Sequence, residues 1–80
     1  MLQLKVISPE RIVYTGDVER VVVPGTVGEF EILDNHAPII STLGRGRVIY
    51  QPVNGEAAEL TIEGGFVEVQ KNNVSLCVEL

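Results

Sequence analysis

Val23–Thr42 reads VPGTVGEFEILDNHAPIIST, and its punctuation decides the fold class. Pro24-Gly25 closes the β-branched run Val18–Val23, because proline offers no ladder N–H and glycine admits positive φ. A short strand follows over Phe30–Leu33. Glu29 and Glu31 fall on one face, and Phe30 and Ile32 on the other, the period-two signature of a half-buried strand. Asp34 and Asn35 both favour side-chain turns, so a corner is expected there, capped by His36. Pro38 then opens a second apolar run, Ile39–Leu43, since proline is tolerated at a strand start.

The same rhythm extends in both directions. Toward the N-terminus, Leu2, Leu4 and Val6 alternate with Gln3 and Lys5. Ser8-Pro9-Glu10 interrupts the run, Ile12-Val13-Tyr14 resumes it, and Thr15-Gly16-Asp17 predicts a further bend. Toward the C-terminus, Gly44-Arg45-Gly46 predicts a hairpin turn into Arg47–Tyr50. Asn54-Gly55 is the strongest hairpin signal, the preferred pair for a type I′ turn. Apolar positions then change parity, from Leu60 and Ile62 to Val67 and Val69. That predicts a β-bulge at Gly64-Gly65, with one glycine at positive φ as the structural device. Asn72-Asn73 predicts the last turn, before Val74, Leu76, Val78 and Leu80. No segment keeps a 3.6-residue period. Strands so short and closely spaced predict one all-β domain over residues 1–80, an antiparallel sandwich or flattened barrel.

Composition narrows the function classes. Eighty residues carry a net charge of −5, which argues against nucleic acid and against direct binding to an anionic membrane surface. Cys77 is the only cysteine, so no internal disulfide forms, and its place in the alternating run Val74–Leu80 makes it a small strand side chain. No apolar run approaches the roughly 20 residues needed to span a bilayer. Met1 leads directly into a strand rhythm and not into a signal peptide. A core this small supplies roughly 3–5 kcal/mol of net stability, so a partner that binds the folded form would stabilise it appreciably.

No convergent catalytic set is legible. His36 is the only histidine. With Asp34, Glu29 and Glu31 it could be drawn as a metal site or an acid–base pair, but one imidazole without a second His or Cys is a weak pattern. Gly25-Thr26-Val27-Gly28 lacks the Gly-Lys-Ser/Thr that a phosphate loop requires. Gly44-Arg45-Gly46-Arg47 could attract an anion through its two arginines, but the preferred reading is a hairpin turn with both arginines solvated. No catalytic, cofactor-binding or metal-binding residue is therefore assigned. A second architecture, the small acidic lipoyl or biotinyl carrier, needs a modifiable lysine at a hairpin tip. Lys5 lies inside a strand, and Lys71 has Gln70 and Asn72 as neighbours in place of the residues such carriers use.

Two blocks carry a family resemblance: Gly25-Thr26-Val27-Gly28-Glu29 followed by a short strand and His36-Ala37-Pro38, and Glu63-Gly64-Gly65-Phe66-Val67-Glu68-Val69-Gln70. With the strand rhythm between them, they make nearly the whole chain resemble the N-terminal domain of the epsilon subunit of F-type ATP synthases. The resemblance implies a β-sandwich of about ten short strands and a non-catalytic part of the central stalk. That part is bound to the gamma subunit, faces the membrane c-ring, and supports coupling of proton or sodium transport to ATP synthesis. It implies a peripheral location on the cytoplasmic face of a bacterial membrane. It further implies a ring-facing surface on one end of the sandwich, built from Thr26, Glu29, Glu31, Asp34 and His36, and a gamma contact through an apolar side patch. Family members continue into two C-terminal helices that restrain hydrolysis and in some cases bind ATP. None of the residues given, which run to Glu79-Leu80, belongs to that arm, so neither property is carried over.

Overall fold

The computed structural model describes residues 1–80 as eight strands with no helix. They are β1 (Leu2–Ile7), β2 (Ile12–Gly25), β3 (Gly28–Ile32), β4 (Ile39–Leu43), β5 (Gly46–Pro52), β6 (Ala58–Ile62), β7 (Gly64–Gln70) and β8 (Asn73–Glu79). The count is eight and not about ten chiefly because Thr15-Gly16-Asp17 does not bend the chain. Gly16 stays in the β1–β2 ladder opposite Leu4. The Tyr14 ring lies where a Cβ at Gly16 would be, its hydroxyl 2.7 Å from that position.

β2 is the spine, at 14 residues. Its first half pairs with β1, from Ile12↔Ile7 to Val18↔Leu2. Its second half pairs with β5 on one side and β3 on the other. One layer is thus β2-β1-β8-β7-β4 and the other β3-β2-β5-β6, and a single Gly25↔Leu43 bridge brings β4 back to β2. The register of β2 against β5 shifts between Val18 and Arg20. A bulge of this kind exchanges the two faces, so the buried residues change from Val18 to Val21 and Val23. All pairings are antiparallel except β1–β8, which is parallel from Gln3↔Asn73 to Ile7↔Cys77. Those two strands are far apart in the chain, so the long connection that parallel neighbours require is already available.

Alternate side chains from both layers meet in one apolar core that includes Leu2, Leu4, Ile32, Ile62, Val67 and Leu76, and no polar side chain is buried. Burying such aliphatic side chains is worth about 1.5–3 kcal/mol each before conformational entropy is counted.

Three turns differ from expectation. Neither Asn54 nor Gly55 has positive φ, so they do not form a type I′ turn. They sit in a wider loop, with the Gly55 N–H donating to the Pro52 carbonyl at 3.4 Å. The tight two-residue turn lies instead at Lys71-Asn72, with φ of 50° and 63°, closing the Gln70↔Asn73 pair. The parity change near Gly64-Gly65 is not a bulge, because the β7–β8 register is unbroken from Gly64↔Glu79 to Gln70↔Asn73. It arises because the chain leaves the β5–β6 layer at Glu63 and enters the other. Gly65 has φ 149°, and a Cβ there would collide with the Cys77 carbonyl oxygen and lie 2.9 Å from Val78 Cα.

The sandwich has two poles. At one, Met1 lies against Asp34, the Gln3 N–H bonds the Asn72 carbonyl, and the Val53 N–H bonds the Asp17 carbonyl. At the other, the Gly44 N–H bonds the Pro24 carbonyl and the Glu63 N–H bonds the Glu79 carbonyl.

Candidate functional site

The β2–β3 hairpin builds the second pole. Gly25↔Gly28 closes it, and Gly28 takes φ 150° with open space around it. At the tip, the Thr26 N–H donates to the Thr42 carbonyl at 3.3 Å, and the two threonine hydroxyls are 3.2 Å apart. Val27 is fully exposed. Glu29 has no cationic partner, whereas Glu31, farther along β3, is held by Arg20 at 3.0 Å.

The β3–β4 loop builds part of the first pole. Asp34 pairs with the Met1 ammonium at 3.1 Å. Asn35 takes φ 64°, and its N–H donates to Asn72 Oδ1 at 2.7 Å. The His36 N–H donates to the Leu33 carbonyl at 3.1 Å, and its Nδ1 donates to the Ala37 carbonyl at 2.8 Å. The predicted corner therefore exists, and His36 is tied to its own loop.

The five residues expected on one end are divided. Thr26 and Glu29 flank the start of β3, Asp34 and His36 lie beyond its end, and Glu31 is on its outer face. A five-residue strand spans about 13 Å between its end residues, and the loop continues away from the hairpin tip. The sequence places these residues within a short stretch, but an extended chain carries them to opposite poles.

Arg45 and Arg47 are not free for an anion. Arg45 donates through Nε and Nη2 to Glu63 Oε1 at 3.0 and 2.8 Å, and Arg47 reaches Glu59 at 3.3 Å. Gly44-Arg45 is also not a hairpin turn, since β4 pairs with β7 while β5 pairs with β2 and β6. It is a passage between layers beside the one at Glu63, and the Arg45–Glu63 pair joins the two passages. Lys71 does stand at a hairpin tip, the geometry a carrier lysine would need, with Gln70 and Asn72 around it.

One pair escaped the sequence reading. Tyr14 and Tyr50 pack with ring centroids 4.5 Å apart and their planes tilted by 43°. Burial, and then the neighbouring Tyr14, push the Tyr50 phenol above its ordinary value. Their positions on β2 and β5 gave no sign of contact before the layers were known. No group of three or more His, Cys, Asp or Glu side chains is arranged to hold a metal ion.

The family model for the ATP synthase delta/epsilon chain β-sandwich domain matches residues 1–80. The ATP synthase epsilon chain of Leptospira interrogans is 47% identical over 79 residues, covering 98% of this chain and 61% of that protein. The epsilon chain of Syntrophomonas wolfei is 40% identical over 76 residues, covering 95% and 56%. The chain thus spans little more than half the length of these relatives. Among solved structures, a chain of the Euglena gracilis mitochondrial ATP synthase OSCP/F1/c-ring assembly superimposes with a TM-score of 0.90 at 19% identity, over 96% of this chain and 49% of that one. A chain of the Tetrahymena thermophila mitochondrial ATP synthase central stalk and c-ring gives 0.81 at 15% identity, over 99% and 63%. At those identities the likeness is one of fold.

Proposed function

This chain belongs to the ATP synthase delta/epsilon β-sandwich family, and on that premise we propose that it is a non-catalytic central-stalk subunit, joining a gamma-type shaft to the c-ring. The observation that carries the reading is the family match over all 80 residues, together with bacterial relatives that are epsilon chains. The role places it on the cytoplasmic face of the cell membrane, held there through the complex and without lipid contact of its own. Catalysis belongs to other subunits, and this chain transmits position and torque.

The ring contact is best given to the pole that carries Thr26 and Glu29. Val27 projects there as an apolar knob, and Glu29 is free of any cation within the chain. A basic residue on a ring loop could meet it. One exposed pair contributes only about 0–1 kcal/mol, so Glu29 would orient the contact while the hairpin tip supplies the buried area. Glu31 lies beside this surface, already engaged by Arg20. Asp34 and His36 occupy the other pole and would serve a different neighbour.

The test is co-purification from native membranes with a tagged form of this chain. Recovery of gamma and the ATPase head, with no ATP hydrolysis by the isolated chain, is expected. Sustained turnover by contaminant-free protein, or failure to recover the head, would overturn the reading.

A further inference from the structure

Asn54-Gly55 lies outside every strand, in the loop of residues 53–57 between β5 and β6. Asn54, Gly55, Glu56 and Ala57 are all exposed. The Asn54 amide makes no hydrogen bond within the chain. The Gly55 nitrogen is held only by the Pro52 carbonyl, at 3.4 Å, longer than an ordinary N–H···O bond. No side chain stands on Gly55 to shield that nitrogen. The other three asparagines are placed differently. Asn72 Oδ1 accepts the Asn35 N–H at 2.7 Å, and Asn73 Nδ2 donates to the Lys71 carbonyl at 3.4 Å. After Asn35, the His36 N–H is committed to the Leu33 carbonyl at 3.1 Å. Asn72 and Asn73 are followed by Asn73 and Val74, which belong to β8.

From this contrast we propose that Asn54 is a site of spontaneous modification, converting to aspartyl and isoaspartyl forms through a cyclic imide. The inference is independent of the stalk role. An asparagine side chain carries its Cγ within reach of the next backbone nitrogen, so the reaction is intramolecular and needs no enzyme. The Gly55 nitrogen loses its proton to hydroxide and attacks Cγ. The new N–Cγ bond closes a succinimide ring, the Cγ–Nδ2 bond breaks, and Nδ2 leaves as ammonia after taking a proton from water. Water then adds to either ring carbonyl and opens the ring. Opening at one carbonyl leaves an aspartyl residue; opening at the other leaves an isoaspartyl link, with the main chain routed through Cγ. No electrons are gained or lost. Either product sets a carboxylate where a neutral amide stood, adding to a net charge of −5. The loop is anchored at the pole of Asp17 and Asp34, through the Val53 N–H bond to the Asp17 carbonyl. The isoaspartyl product also lengthens the main chain between Pro52 and Gly55, which strains the bond from Gln51 Nε2 to the Gly55 carbonyl, 2.6 Å long. β6 is an edge strand paired only with β5, so a loosened loop weakens the connection into it. The chain thus carries a change of charge and loop geometry that accumulates with age.

The experiment ages the full chain in mildly alkaline buffer at physiological temperature and follows it by intact mass and peptide mapping. The mass gain of an amide turned to an acid is expected at Asn54 before any other asparagine. The modified peptide is expected as two isomers, isoaspartyl and aspartyl. Asn54→Gln and Gly55→Ala are each expected to slow the gain at this position at least tenfold. Gly55 is not at positive φ, and an added Cβ would meet Pro52 at an ordinary 3.4 Å, so alanine fits there. Thermal melts establish that both variants remain folded. Earlier modification at Asn35, Asn72 or Asn73 would overturn the proposal. So would a product without the isoaspartyl isomer, or an unchanged rate in Gly55→Ala, since either shows hydrolysis without the ring. A chain that stays unmodified while an unstructured peptide of residues 51–58 converts would show that the folded loop withholds the nitrogen, and would overturn it too.

Discussion

Replacing Gly65 by alanine tests the tightest backbone approach in the molecule. Its φ of 149° is one that residues with a side chain rarely adopt, and the added Cβ would press on the Cys77 carbonyl oxygen and stand 2.9 Å from Val78 Cα. All of these atoms belong to backbone, so no side-chain rotation relieves the clash. The conformational term alone costs about 1–3 kcal/mol, and displacing β8 adds to it. Against a total of roughly 3–5 kcal/mol for a core of this size, this removes much of the stability. At about 4–8 °C per kcal/mol for a domain of this length, the melting temperature should fall by roughly 10–20 °C. Two neighbouring substitutions calibrate the result. Gly28→Ala has a similar φ of 150° but nothing within 4 Å, so it reports strain without collision. Gly64→Ala would meet only the Leu43 carbonyl at 3.6 Å, an ordinary contact. Scanning calorimetry should therefore rank the three losses as Gly65 largest, Gly28 intermediate and Gly64 least. Equal melting temperatures for Gly65→Ala and Gly64→Ala would refute the argument.

Three further outcomes follow from other parts of the molecule. Tyr50 ionises at higher pH in the folded chain than in the unfolded one. Its contribution is therefore complete below the ordinary phenol value near 10 and is lost as pH rises through the folded one. Denaturant titrations in that alkaline range should show a decline that Tyr50→Phe reduces. Glu29→Lys should lower ATP synthesis relative to ion flow in reconstituted vesicles with the melting temperature unchanged, while Asp34→Asn at the far pole should leave that ratio intact; equal defects would show that the poles do not divide the work. Intact-mass measurement of the native chain should find no lipoyl or biotinyl group on Lys71, and an added mass at that residue would revive the carrier reading.

Alternation made most strands legible, because period two reports which face a side chain occupies. It does not report which strand lies alongside, and that is where the reading stopped. Glu63 and Gly44-Arg45 look like ordinary turns in a string of residues, yet each carries the chain from one layer to the other. The Glu19 bulge was hidden because Val21-Val22-Val23 is apolar on both parities. Asn54-Gly55 has the preferred composition for a tight turn and lacks the geometry, while Lys71-Asn72 has the geometry with a lysine that rarely takes positive φ. The ring-facing group rests on the resemblance, and an extended β3 separates its members, with Thr26 and Glu29 near one pole and Asp34 and His36 near the other.

The parallel pairing of β1 with β8 has a mechanical consequence. Met1 emerges at one pole and Leu80 at the other, although their strands are adjacent. Tension between the ends would act along the two strands in opposite directions. The Gln3↔Asn73 to Ile7↔Cys77 ladder would then be loaded in shear, all of its bonds sharing the force. Had the strands been antiparallel, both ends would leave from one side, and the same tension would peel the ladder one bond at a time. A pull applied between the termini therefore meets the sandwich along its strongest direction.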